Sequence, residues 1–138
     1  MVSSVLMRLI ALLACVLLLP GASFGAQEGE HLNTPNYSEC MEKSGGVTSE
    51  MLDCGSAEAD RQDKKLNAIY KQLMDRASEK QKSELRQSQR DWLIYRKSSC
   101  NLIYGFGEGG TIDDLAASSC GLDVLARRVK FLESLIKR

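Results

Sequence analysis

The sequence predicts an all-α fold: a disulfide-stapled antiparallel helical hairpin with a third, C-terminal helix packed on it. Three observations lead there. Apolar residues recur at three- and four-residue steps through most of the chain beyond residue 48, and no stretch alternates with the two-residue period of a half-buried strand. Four cysteines, Cys40, Cys54, Cys100 and Cys120, follow an N-terminal segment that reads as a removable leader. With 138 residues, 43% hydrophobic and 26% charged, the chain has material for one core.

Residues 1–26 have the layout of a secretory signal peptide. Arg8 closes a short first region, 9–19 are apolar without interruption, and Pro20-Gly21-Ala22-Ser23-Phe24-Gly25-Ala26 supplies breakers and small residues. That apolar run is well short of the roughly 20 residues a spanning helix needs, so the mature protein is expected to be exported and soluble. Leu12-Leu13-Ala14-Cys15 faintly resembles a lipobox. Cutting there would strand Val16-Leu17-Leu18-Leu19 as an apolar tail, so Cys15 is read as filler and lipid anchoring through it as the lesser alternative. A formal charge near zero argues against a nucleic-acid or polybasic membrane role and permits a basic protein partner.

Residues 27–47 read as a flexible leader, with Gly29, Asn33, Pro35 and Asn36 and little apolar content. The only histidine, His31, lies there, away from any folded site. The helical domain is expected over 48–138, with Cys40 stapled to it. Thr48 is a fair N-cap, and Leu66, Tyr70, Leu73 and Ala77 trace one face of a first long helix. Ser78 and Gln81 then form an S-x-x-Q capping box that opens a second helix through Leu85 and Trp92 to about Leu102. Gly105-Phe106-Gly107-Glu108-Gly109-Gly110 stops regular structure. Thr111 with Asp114 marks a third start, and Leu122, Leu125, Val129, Leu132 and Ile136 form a steady apolar stripe, with Lys137 and Arg138 suited to the negative end of that helix's dipole.

The stretch QSQRDWLIYRKSSC, residues 87–100, holds the only tryptophan. If the hairpin turns near Glu79 and Lys80, Asp63 lies level with Arg96, Asn67 with Trp92 and Tyr70 with Gln89. The sets 63-67-70 and 89-92-96 each occupy one helix face. The pairs match chemically, since guanidinium and carboxylate bond in bidentate fashion and a buried indole or phenol wants a polar partner. A buried ion pair there would cost about 3–5 kcal/mol to break and would lock the register. These six residues are therefore expected to form a structural seam rather than a ligand platform.

An even cysteine count in a small exported chain points to two disulfides. The spacing lacks the tight C-x₂-C pairs that zinc sites favour, so neither a metal nor a cofactor is expected. The hairpin gathers all four cysteines at one end. Cys54 and Cys100 sit several residues off level, whereas a disulfide needs Cα atoms within about 7 Å. Cys40 can fold back over Gly45-Gly46 to Cys54, and Cys120 over the glycine stretch to Cys100. The reading favours Cys40–Cys54 with Cys100–Cys120 over the other two pairings, each staple contributing roughly 3 kcal/mol in the chain-entropy model.

TSEMLDC ending at Cys54, DKKLNAIY from Asp63, QRDWLIYRKSSC ending at Cys100, GGT from Gly109, then Cys120, Arg127 and Arg128, occur in an order and spacing that resembles the LprI-like lysozyme-inhibitor domain of exported bacterial proteins. The resemblance runs from Cys40 nearly to the C-terminus. It implies a bacterial periplasmic or secreted protein with lysozyme as a possible protein partner. It supplies no inhibitory residue to carry over.

Enzymatic chemistry finds little support. Asp113-Asp114, Glu28 with Glu30, and Asp60 with Asp63 read more simply as a capping turn, a leader and a helix face, and no histidine is left in the folded part for a Ser-His-Asp triad. The binding hypothesis places a lysozyme-occluding loop over 105–114, where Phe106 can anchor and Glu108, Asp113 and Asp114 can oppose basic side chains. Two other readings stand beside it. The stretch can be only a glycine-rich helix connection with capping aspartates, and the protein can be a non-inhibitory envelope adaptor or stress protein that binds another protein or an envelope component.

Overall fold

The computed structural model describes residues 32–137. The signal-peptide reading of 1–26, Cys15, His31 and Arg138 lie outside the described residues. Four helices follow in order: α1, Pro35–Lys43; α2, Thr48–Arg76; α3, Glu79–Phe106; and α4, Thr111–Ile136. The fold is all-α, with no strand among the described residues, and both disulfides form as favoured: Cys40–Cys54 with Cα atoms 5.7 Å apart and Cys100–Cys120 at 5.6 Å.

Residues 27–31 lie outside the described residues, and part of the rest of the stretch 27–47, expected as a flexible leader, is the helix α1. Pro35 stands at its first position, where the ring's fixed φ suits a helix and the missing N–H costs nothing. Gly45 and Gly46, at φ of 58° and 84°, then reverse the chain in a conformation that other residues rarely adopt. What orders this segment lies far away in sequence. The fully buried Glu58 carboxylate accepts from the Thr34 N–H at 2.8 Å and hydroxyl at 2.6 Å, from Arg61 Nε at 2.8 Å and from Gln62 Nε2 at 2.9 Å. Burial by itself would raise the Glu58 pKa. The hydrogen bonds from Thr34, Gln62 and Arg61 outweigh burial and hold it below the ordinary value.

The capping box between α2 and α3 forms as expected, with Ser78 N–H donating to Gln81 Oε1 at 2.9 Å and Gln81 N–H to Ser78 Oγ at 3.4 Å. The reversal is therefore at 77–78, earlier than the turn assumed near Glu79 and Lys80. The C-terminal helix is also more central than an element laid upon a finished hairpin. It packs most closely on α2 and next on α3, while those two hardly approach each other along their backbones. It runs antiparallel to α3 and parallel to α2: Arg96 meets Gly121 and Gln89 meets Arg128, whereas Lys65 meets Glu133 and Arg76 meets the Ile136 carbonyl. Gly55 permits a close approach of α2 to α4, since a Cβ there would stand 3.0 Å from Ser118 Oγ. The core is Leu66 and Ile69 of α2 against Leu125, Val129 and Leu132 of α4, with Leu85 and Trp92 of α3 packed onto it. Fully burying a leucine such as Leu125 or Leu132 stabilises by about 1.5–3 kcal/mol.

The central position of α4 rewrites the expected seam. Asp63 and Arg96 do meet, but at 3.9 Å with side chains 48% and 26% exposed, and the shorter bond of Arg96 runs from Nε to the Gly121 carbonyl at 3.1 Å. Trp92 turns inward, as the structural reading required, yet its neighbours are the guanidiniums of Arg96 and Arg128, each 5.7 Å from the ring centroid. Gln89 accepts from Arg128 Nε at 3.2 Å instead of facing Tyr70. Asn67 is exposed, and no hydrogen bond joins it to Trp92. The level pairing thus gives one weak contact of the three expected. Helix α4 supplies the polar partners that α2 was expected to provide.

Candidate functional site

With Trp92 turned inward, the three residues after it face solvent. Leu93, Ile94 and Tyr95 are all more than half exposed, and so are Leu102, Tyr104 and Phe106 further along α3. Tyr95, Leu102 and Phe106 follow steps of seven and four, which puts them on a single stripe of the helix. Scattered exposed apolar residues are ordinary, but large apolar side chains aligned on one stripe of a helix that already buries another face mark an interaction surface. Of these residues the sequence reading had singled out Phe106 alone. The helix period could have flagged the others once Trp92 was assigned to the core.

The stripe ends on the loop 107–110. Helix α3 continues through Phe106, past both Leu102 and Gly105, and Phe106 stands at its end 87% exposed. Gly107 N–H closes the helix by donating to the Ile103 carbonyl at 2.7 Å. Gly109 and Gly110 then take φ of 86° and 98°, left-handed conformations that favour glycine. Asp113 fastens the turn from the other side, its Oδ2 accepting from the Gly109 N–H at 2.7 Å. The same carboxylate fills the space that a Cβ on Gly107 would occupy.

This geometry separates the four predicted loop residues. Asp113 is only 8% exposed and committed to the turn, which corrects its assignment as a partner-facing acid: the backbone it caps consumes it. Phe106, Glu108 and Asp114 remain exposed. Tyr104 donates from its hydroxyl to Asp114 Oδ1 at 3.3 Å, bridging the end of α3 to the first turn of α4. Loss of solvation, and then the neighbouring Asp114 carboxylate, raise the Tyr104 pKa above its ordinary value. Ile112, 67% exposed, adds an apolar side chain on the far side of the loop. The second disulfide links Cys100, one turn before Tyr104, to Cys120 on α4, so it closes the loop and both its flanks into one ring of chain.

The surface is apolar with acids at one end. No group of three or more histidine, cysteine or acidic side chains is placed to hold a metal ion among the described residues, and none of the described helices is long and apolar enough to cross a membrane. Fold and surface together define a small, disulfide-stapled helical module suited to binding a protein. The chain belongs to the LprI family: the family described as "Lysozyme inhibitor LprI" matches residues 40–132, from the first stapled cysteine to the last fully buried leucine. The function this supports at the level of the family is lysozyme-inhibitor-like binding of a protein partner, and the family is one of inhibitors rather than enzymes. No curated protein and no solved structure matches the chain.

Proposed function

We propose that this protein is an exported bacterial lysozyme inhibitor that acts in the periplasm or outside the cell and blocks its target with the outer face of α3 and the loop that follows. The single observation carrying this reading is the stripe of exposed large apolar side chains Tyr95, Leu102 and Phe106, ending beside Glu108 and Asp114. Apolar anchors supply most of the binding free energy of a protein interface, and rim charges supply steering and register. Phe106, at the tip, is the side chain that enters the sugar-binding cleft, and Glu108 and Asp114 oppose basic groups on a cationic enzyme. Export is supported by the signal-like pattern of residues 1–26 and by two disulfides, which persist in oxidising compartments.

The test is a lysozyme turnover assay with the disulfide-intact mature protein, run on a chicken-type and a goose-type enzyme. Saturable inhibition of one of them at micromolar protein is expected, weakening as salt rises because part of the attraction is between exposed charges. Absence of inhibition of both enzymes contradicts the proposal.

A further inference from the structure

Helix α3 carries a second exposed stripe, on a different side from the one that ends at Phe106. Arg86, Arg90, Leu93 and Lys97 follow steps of four, three and four residues, so they line one face over about 17 Å of the helix. All four are exposed, Leu93 by 51%, and Ile94, 68% exposed, stands four residues after Arg90 at the edge of the stripe. Tyr95, on the other stripe, is two residues past Leu93 and therefore about 200° round the helix.

The three cations of this stripe have no ion-pair partner. Elsewhere on α3, Lys82 pairs with Glu79 at 2.7 Å, Lys80 with Glu84 at 3.9 Å and Arg96 with Asp63 at 3.9 Å. Among the described residues no carboxylate stands within ion-pair distance of Arg86, Arg90 or Lys97. Arg90 donates from Nη2 to the uncharged Gln87 Oε1 at 2.5 Å. Glu84 and Asp91, two residues before Arg86 and one after Arg90, fall at least about 100° round the helix from those arginines. The near-zero charge of the whole chain argues against a polybasic membrane role only as an average. It conceals a segregation, with unpaired cations midway along α3 and the acids Glu108 and Asp114 beyond its end. Acids that suit a cationic enzyme and cations on another side of the same helix fit two partners of opposite charge.

We propose that the Arg86–Lys97 stripe docks on an anionic lipid surface, with α3 lying flat on the headgroups and the Tyr95–Phe106 stripe turned away from them. Two features select lipid over a dissolved polyanion. Leu93 and Ile94 stand among the cations, where a dissolved anionic chain would leave them in water. The headgroup region of a bilayer takes in apolar side chains while the cations meet its phosphates. The stripe is also the convex outer side of a helix, which fits a broad charged sheet better than a small anion that needs a concave site. The aliphatic stems of Arg86, Arg90 and Lys97 can lie along the same apolar boundary with their charged ends at the phosphates. Three cations and two apolar side chains give attachment that is reversible and sensitive to salt.

Flotation of the disulfide-intact mature protein with vesicles tests this, using phosphatidylglycerol mixed with phosphatidylcholine against phosphatidylcholine alone. Binding to the anionic vesicles is expected at low salt, falling as salt rises, with the zwitterionic vesicles at least about tenfold weaker. R90Q/K97Q should bind the anionic vesicles about thirtyfold more weakly, each lost cation accounting for about fivefold. L93S/I94S should bind them at least about tenfold more weakly, through lost apolar burial. Both double variants change exposed positions and should keep the parent's denaturation midpoint. Lysozyme inhibition by R90Q/K97Q should stay within about twofold of the parent, so loss of vesicle binding and loss of inhibition are read separately. Equal binding of the two vesicle types, no binding of anionic vesicles at low salt, or either double variant binding them as the parent does overturns the proposal. So does binding of dextran sulfate, a dissolved polyanion, in place of the vesicles.

Discussion

Asp113 Oδ2 accepts a hydrogen bond from the Gly109 N–H at 2.7 Å, so the loop between α3 and α4 is fastened by the helix it introduces. An acid that looked available to a partner is a clasp for the segment that presents Phe106. Asp113→Ala is expected to destabilise by about 0.5–1.5 kcal/mol, the net worth of a typical hydrogen bond. Asp114→Ala and Phe106→Ala, both at exposed positions, should stay within about 0.5 kcal/mol of the parent. Urea denaturation of the three variants separates clasp from surface, and an Asp113→Ala protein as stable as the parent would refute the clasp.

The Asp63–Arg96 pair allows a similar distinction. At 3.9 Å and with both side chains partly in water, it has the character of a surface ion pair, worth about 0–1 kcal/mol. Asp63→Asn should therefore cost no more than that. Trp92→Ala, which removes a half-buried ring from the core and from between two guanidiniums, should cost toward the lower end of roughly 3–5 kcal/mol. The reverse order in chemical denaturation would restore the buried-seam picture.

Much of this was legible in the sequence because it rests on local signals. The Ser78–Gln81 box, the Leu122–Leu125–Val129–Leu132 stripe and the preferred cysteine pairing depend on spacing alone, and all three stand in the structure. The failures share one cause. Treating residues 48–102 as a self-contained hairpin gave Gln89 and Trp92 partners on α2, when helix α4, reached only after the loop, brings Arg128 to both. Helix α1 was missed for a related reason: Glu58, 24 residues from Thr34, is what anchors its start. The outer surface of α3 was hidden because an apolar residue on a helix signals core until another face has claimed that role.

Glu58 gives the fold a specific acid dependence. Its folded pKa is depressed, so its stabilising contribution is fully present above the ordinary carboxylate value near 4.5 and is lost as pH falls through the lower folded value. Glu58→Gln should lose stability at neutral pH and show a shallower decline between neutral and acidic pH than the parent. Hydrogen exchange of residues 34–43, measured at neutral and acidic pH, checks this. Protection of α1 in the parent that is indifferent to acid would count against it.

Reduction of the two disulfides should have different local effects. Each contributes roughly 3 kcal/mol by limiting the unfolded chain. Cys40→Ser with Cys54→Ser should free α1 and leave the α3–α4 loop protected, whereas Cys100→Ser with Cys120→Ser should expose residues 103–112. Thermal melts joined to hydrogen exchange distinguish the two, and a common pattern of lost protection would mean that the staples do not act locally.

The central claim is that the outer face of α3 and its loop form the inhibitory surface, and inhibition of lysozyme by the parent and by L102S/F106S tests it most directly. The account predicts that the double variant keeps its denaturation midpoint and inhibits about thirtyfold more weakly or less, as expected when an anchor worth about 2 kcal/mol is removed. A correctly folded double variant that inhibits as strongly as the parent would contradict the account.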